Sequence, residues 1–215
     1  MNADVNGRIW AVVLAAGQSR RMGGATPKVL ELVGGEPMVC RAVRAALRAG
    51  VVGVVVVAGP HPERVAEAVR QAARTAPAVP VQVRPNPDFA GGMASSLQQG
   101  LASLPDEAGA ALVVLADQPL VGPELLRKVM QAGRNACAAA CRYPDGHPGP
   151  PCLLKRELWP KVMILRGDQG ARTVLRELGE GLALVACPPG ELLDVDTPEQ
   201  LAEARARLGR LPQQG

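Results

Sequence analysis

The chain has 215 residues, with 24 Lys and Arg against 20 Asp and Glu for a net charge of +4, a length that suits one substantial domain whose core needs no staples. Hydrophobic residues make up 47% but aromatic residues only 2%, so aliphatic side chains must fill the interior and stacking on nucleic-acid bases is poorly supplied. The basic residues are scattered, which argues against a nucleic-acid or membrane surface, and five cysteines without a C-x-x-C pair argue against a disulfide framework.

The longest apolar run, residues 51–58, is far too short to span a bilayer. The N-terminus lacks the basic-then-apolar order of a secretory signal, so the expected location is the cytoplasm.

In chain order, the run IWAVVL at 9–14 is bounded by polar residues and Gly17 and reads as a strand buried on both faces. Short branched runs at 52–57, 79–83, 110–115 and 182–186, each stopped by Gly, Pro or Asp, read as further strands. Between them, residues 37–49, 62–74, 93–103 and 123–132 carry apolar side chains at helical spacing, with Pro37, Pro62 and Pro123 where a first turn accepts proline. Alternating strands and helices of this length predict an α/β fold: a doubly wound, mostly parallel sheet with ligands bound beyond the carboxyl ends of its strands.

After Cys141 the pattern is irregular (RYPDGHPGPP), and helical signals return at 155–165, 171–178 and 198–208. One domain over residues 1–208 is expected, with 209–215 a frayed tail.

The segment LAAGQSRRMGGATPKVL at 14–30 leaves the first strand with glycines at 17, 23 and 24, which free the backbone to turn its amides inward. With Ser19 and the cations Arg20, Arg21 and Lys28, such a loop suits a triphosphate. Its spacing matches neither the dinucleotide fingerprint nor the P-loop.

Downstream, GMASSL at 92–97 opens a helix after the segment RPNPDFA, so Asn86, Gly92, Ser95 and Ser96 lie where free helix amides could meet a ligand. Taken alone, the two serines fit ordinary first-turn roles better. Asp117 in LADQPL closes an apolar strand where an open sheet presents ligand groups, and a carboxylate there can hold Mg²⁺. In LDVDTPE, Asp196 precedes a helix start with Thr197 as N-cap and Pro198 at the first position. Asp194 and Asp196 are expected to face opposite ways.

The first loop matches the signature L-A-A-G-x-x-x-R-M-x-x-x-x-P-K-x-L of the nucleotidyltransferases with a doubly wound fold. The series G-M-x-x-S-L, L-A-D-Q-P, G-H-P, G-D-x-G-A-R and D-x-D-T-P closely resembles the molybdenum cofactor cytidylyltransferases, a MobA/MocA-like NTP transferase branch, over almost the whole chain. Ser19 stands where many relatives have Gly, and Gly149-Pro150-Pro151 departs from the apolar strand that usually follows G-H-P. Proline there lacks the N–H that a central ladder needs.

The resemblance implies CTP as nucleotide and the terminal phosphate of molybdopterin as acceptor, with a molybdoenzyme downstream. It puts Arg21 and Lys28 on the phosphates, with Asp117, as the catalytic group, and Asp117 and Asp196 on Mg²⁺. Leu14, Ala15, Ala16, Gly17, Ser19, Arg20 and Gly23 join the nucleotide-binding set with Asn86, Gly92, Ser95 and Ser96, while Gln118, His147, Pro148, Asp168 and Arg172 fall to the acceptor.

The implied reaction is an in-line attack by an ionised phosphate, which needs no general base. Two alternatives stay open: the same chemistry on a sugar 1-phosphate or other phosphorylated molecule, with GTP or another nucleotide, and a nucleotide-binding molybdoenzyme chaperone without turnover.

Overall fold

The computed structural model describes residues 8–17 and 27–210. Its strands are β1 (Ile9–Ala15), β2 (Leu32–Val33), β3 (Glu36–Pro37), β4 (Gly53–Ala58), β5 (Val81–Pro85), β6 (Ala110–Leu115), β7 (Ala138–Arg142), β8 (Pro148–Lys155) and β9 (Leu182–Ala186). The helices are α1 (Met38–Ala49), α2 (Pro62–Ala73), α3 (Met93–Ala102), α4 (Pro123–Ala132), α5 (Trp159–Met163), α6 (Ala171–Arg176) and α7 (Pro198–Arg210).

The main sheet is seven-stranded in the order β5-β4-β1-β6-β8-β7-β9. β5, β4, β1 and β6 pair in parallel, β8 runs antiparallel to both β6 and β7, and β9 is parallel to β7. The expected doubly wound, mostly parallel α/β sheet is what the chain forms, with β8 alone reversed.

Strand β1 shows why both faces need cover. Ile9, Ala11, Val13 and Ala15 enter the core beneath α1, α2 and α4, whereas Trp10 and Val12 enter the core beneath α3, α5 and α6. Successive side chains alternate faces, so an unbroken apolar run is the signature of a strand covered twice. Burial of each such Val or Ile contributes roughly 1.5–3 kcal/mol. A smaller core of Val33, Met38, Val195, Leu201 and Ala204 joins α7 to the β2–β3 hairpin. Among the described residues no helix is long and apolar enough to cross a membrane.

The expected strands at 110–115 and 182–186 and the helix at 123–132 fall on β6, β9 and α4, and the other expected elements shift at their ends by a residue or two. The signals at 155–165 resolve into a 3-10 turn, Arg156–Leu158, followed by α5.

Four strands are additions, the two-residue β2 and β3 and, in the main sheet, β7 and β8. β7 (AAACR) reads as an Ala-rich apolar stretch, and β8 as an irregular proline-rich loop. The structure reconciles prolines with a central strand: β6 pairs with β8 only from Cys152 to Lys155, beyond Pro151. The β7–β8 register shifts between Ala140 and Cys141, so Pro150 and Pro151 fall where the ladder is already interrupted.

Candidate active site

Three segments converge past the carboxyl end of β6. Lys28 begins a 3-10 turn, Lys28–Leu30, closed by the Leu30 amide donating to the Pro27 carbonyl at 2.9 Å. Asp117 lies two residues beyond β6, where the Ala116 amide still donates to the Leu14 carbonyl at 3.0 Å. The segment carrying Asp196 is tied to the same place, because the Val195 amide donates to the Asp117 carbonyl at 2.9 Å.

The Lys28 ammonium donates to Asp117 Oδ2 at 2.6 Å and to Asp196 Oδ1 at 2.5 Å. The lysine is buried while the two carboxylates keep solvent access, with side-chain exposures of 8% against 23% and 42%. Burial alone would lower the ammonium's pKa; the two carboxylates outweigh it, and the net shift is upward. Lys28 is therefore a permanently charged bridge.

The residues after Asp196 cap the helix that follows it. The Gln200 amide donates to Thr197 Oγ1 at 3.3 Å, and the Thr197 and Asp196 amides donate to Gln200 Oε1 at 3.0 and 2.8 Å. This is a capping box, T-P-E-Q, with Thr197 as the expected N-cap.

Asp194 corrects an expectation. Asp194 and Asp196 line the same cleft, while Val195 between them is fully buried in the small core. Side chains two apart on extended chain share a face. Burial, then the nearby Asp117 charge, pushes the Asp194 carboxyl up to about 6, with Asp196 adding to the effect.

The cleft has a volume of about 860 Å³. Of the residues expected at the site, Leu14, Ala16, Gly17, Lys28, Gly92, Ser96, Asp117, Asp168, Arg172 and Asp196 line it. Ser19, Arg20, Arg21 and Gly23 lie outside the described residues.

The remaining expected residues are placed elsewhere. Ala15 packs into the core beneath α1. Asn86 is buried and donates to Ser95 and Ser96 Oγ, each at 3.0 Å, while Ser95 Oγ donates to the Asp88 and Gly92 carbonyls at 2.8 and 2.9 Å. These bonds order the start of α3, as the first-turn reading has it. Gln118 is 1% exposed and lies behind the cleft wall, not on it. His147 and Pro148 are at the β7–β8 turn, where the Tyr143 amide donates to the His147 carbonyl at 2.9 Å, and neither lines the cleft.

Two motifs prove to be halves of one junction. Gly92 holds φ +96°, and a Cβ there would collide with the Gly167 carbonyl; the Ala94 amide donates to that carbonyl at 3.0 Å. A Cβ at Gly170 would in turn strike Met93 Sδ. G-M and G-D-x-G thus lock the loop before α6 onto the start of α3. Thr173, Arg176, Phe89 and Met93 also line the cleft; helical spacing from Arg172 could have pointed to Arg176.

A parallel α/β sheet with two carboxylates and a lysine at its carboxyl ends, beside a loop rising from the first strand, defines a nucleotide-handling α/β domain. The chain belongs to the MobA-like NTP transferase domain family, whose model matches residues 11–182.

Among curated relatives, 2-C-methyl-D-erythritol 4-phosphate cytidylyltransferase of Frankia casuarinae is 33% identical over 191 residues, 87% of this chain and 62% of that protein. The bifunctional protein GlmU of Pelotomaculum thermopropionicum is 39% identical over 177 residues, 80% of this chain and 37% of that protein. The chain thus spans less than two thirds of these relatives. Mycobacterium tuberculosis Rv0371c superposes with a TM-score of 0.76 at 28% identity, over 93% of this chain and 98% of that one. A further Rv0371c structure is a complex with manganese, with a TM-score of 0.72 at 27% identity. These relatives share the family without singling out its molybdenum cofactor branch.

Proposed function

We propose that this protein transfers a nucleotidyl group from a nucleoside triphosphate to a phosphate monoester and releases pyrophosphate. The observation that carries the reading is Lys28 bracketed by Asp117 and Asp196 in the wall of the cleft. At the finer level, the nucleotide is CTP and the acceptor is the terminal phosphate of molybdopterin. G-H-P and G-D-x-G-A-R in this order support that choice of acceptor, and the Frankia cytidylyltransferase supports cytidine.

The donor set fits Mg²⁺. Its atoms are carboxylate oxygens, and two of them already converge on one cation. Among the described residues no cluster of three or more His, Cys, Asp or Glu forms a metal cage by itself, and Mg²⁺ needs only one or two carboxylates when phosphates and water complete its shell. Asp117 and Asp196 would hold the ion, which when bound supplies neutralisation of phosphate charge.

In the proposed step an acceptor phosphate oxygen bonds to the α-phosphorus as the bond to the β-phosphate oxygen breaks, and pyrophosphate carries away that electron pair. The nucleophile is already ionised, so no residue has to remove a proton. Lys28 meets charge that develops on the phosphates, and the loop at 14–17 with Gly92 and Ser96 shapes the nucleotide's side of the cleft.

A pyrophosphate-release assay with each nucleoside triphosphate, Mg²⁺ and molybdopterin tests the reading; release with CTP is expected. A second acceptor, methylerythritol 4-phosphate, is favoured by the Frankia relative. Release with that compound and not with molybdopterin would move the assignment to it. Tight CTP binding with no release from either acceptor would favour a nucleotide-binding role without turnover.

A further inference from the structure

The cleft wall built by α6 carries charge that the transfer step has not used. Arg172, Thr173 and Arg176 all line the cleft, and residues four apart on a helix share a face. Among the described residues neither guanidinium is ion-paired with a carboxylate.

Arg172 is nevertheless fixed in place. Its guanidinium carbon lies 4.3 Å from the centroid of the Tyr143 ring. Gly149 leaves the room, since a Cβ there would come within 2.8 Å of both Arg172 Nε and the Tyr143 ring. The ring is anchored at its far end: Tyr143 donates its hydroxyl hydrogen to the Pro150 carbonyl at 2.6 Å and accepts from Gln118 Nε2 at 2.6 Å. Gln118 follows Asp117 directly, and the same amide nitrogen donates to Asp194 Oδ1 at 3.0 Å. A chain of contacts therefore runs from the acids to the guanidinium. Ordering a long cation in advance lowers the entropy lost when it binds an anion.

Position adds direction. An in-line displacement needs nucleophile and leaving group on opposite sides of the α-phosphorus. β1, followed by Ala16 and Gly17 on the side given to the nucleotide in the proposed reaction, flanks β6 on one side; β8, against which α6 packs, flanks it on the other. The nucleophile therefore enters from the α6 side. It is an anion that must approach Asp168, Asp194 and Asp196, which line the same cleft. Two arginines on that wall offset the repulsion, and the planar guanidinium fork matches phosphate geometry.

We propose that Arg172 and Arg176, with the Thr173 hydroxyl, form an anion cradle for the acceptor's phosphate monoester, and that Tyr143 and Gln118 are positioning residues that hold Arg172 to it. The proposal rests on the reading of this site as one of nucleotidyl transfer to a phosphorylated acceptor. It also restricts the substrate class: an acceptor that offers only an alcohol is not held.

Tyr143 is the single tyrosine of the chain, so full-length protein made with 3-fluorotyrosine gives one fluorine resonance beside Arg172. Methyl phosphate should shift it saturably, and Arg176→Gln, at an exposed position, should weaken that binding about tenfold. By calorimetry on unlabelled protein, Tyr143→Leu should weaken methyl phosphate binding about tenfold and Tyr143→Phe, which keeps the stacking ring, less than about threefold. Nucleotide affinity should be unchanged in both variants, whereas a merely structural tyrosine would lower it too. A resonance that methyl phosphate leaves unmoved would overturn the cradle. So would a nucleotide that moves the resonance and displaces methyl phosphate, since the arginines would then serve the triphosphate. The probe needs no turnover, so methyl phosphate binding in a chain that never releases pyrophosphate would sink the transfer reading and leave the anion cradle standing.

Discussion

Lys28 joins acids that lie 89 and 168 residues away in sequence, and its ammonium sits between the carboxylates of Asp117 and Asp196. Lys28→Ala should cut pyrophosphate release by at least about 10²-fold, the scale on which a preorganised charge acts on phosphoryl chemistry. Near-normal turnover in a folded Lys28→Ala variant would remove the lysine from the mechanism. Asp117→Asn should abolish Mn²⁺ binding followed by paramagnetic resonance; unchanged binding in that variant would rule out Asp117 as a metal ligand. Lys28 and Asp117 stood out in the sequence because loops that leave buried strands present polar residues at the sheet's carboxyl end, whereas Asp196, equally readable as part of a helix start, was assigned through the family resemblance. That the three would bond to one another was not legible, since ion pairing over such separations depends on the fold. Nor was Tyr143, which acts through what it stacks on and carries no motif of its own.

At the level of elements, the site depends on how segments are tied together. Thr197→Ala removes one half of the capping box and should destabilise the protein by about 1 kcal/mol, with a loss of turnover larger than the loss of stability accounts for, because Asp196 adjoins the cap. Gly92→Ala forces a side chain into the left-handed region against the Gly167 carbonyl and should cost about 1–3 kcal/mol, read by denaturant unfolding. A wild-type midpoint would show that the α3 junction tolerates separation. Strands with alternating cores, such as β1, β4 and β6, were legible in the sequence because their apolar runs are short, branched and punctuated. β7 and β8 were not: alanines give little strand preference, and prolines argue against a ladder unless register and partner length are known.

Across the whole molecule, the interior is aliphatic and holds its thiols as small hydrophobes. Burial pushes Cys40 up to about 11 and Cys152 up to about 12, and raises Cys141 as well. Cys137 and Cys187 are only half-buried. At about pH 8 the native protein should yield no more than two of its five thiols to Ellman's reagent; rapid reaction of all five would show that the sheet opens. The seven-stranded sheet sets the larger geometry, with the end of β1 and Gly17 on one side of Asp117 and α6 on the other. Such a two-sided cleft suits a reaction that brings a triphosphate and a second anion together across a shared set of acids. The most direct measurement is pyrophosphate release by the full chain with Mg²⁺, each nucleoside triphosphate and a phosphate monoester acceptor, molybdopterin first. Release that requires both the acceptor and Mg²⁺, and that is fastest with CTP, is the predicted result; no release with any nucleotide and either phosphorylated acceptor, from protein that binds CTP, would contradict it.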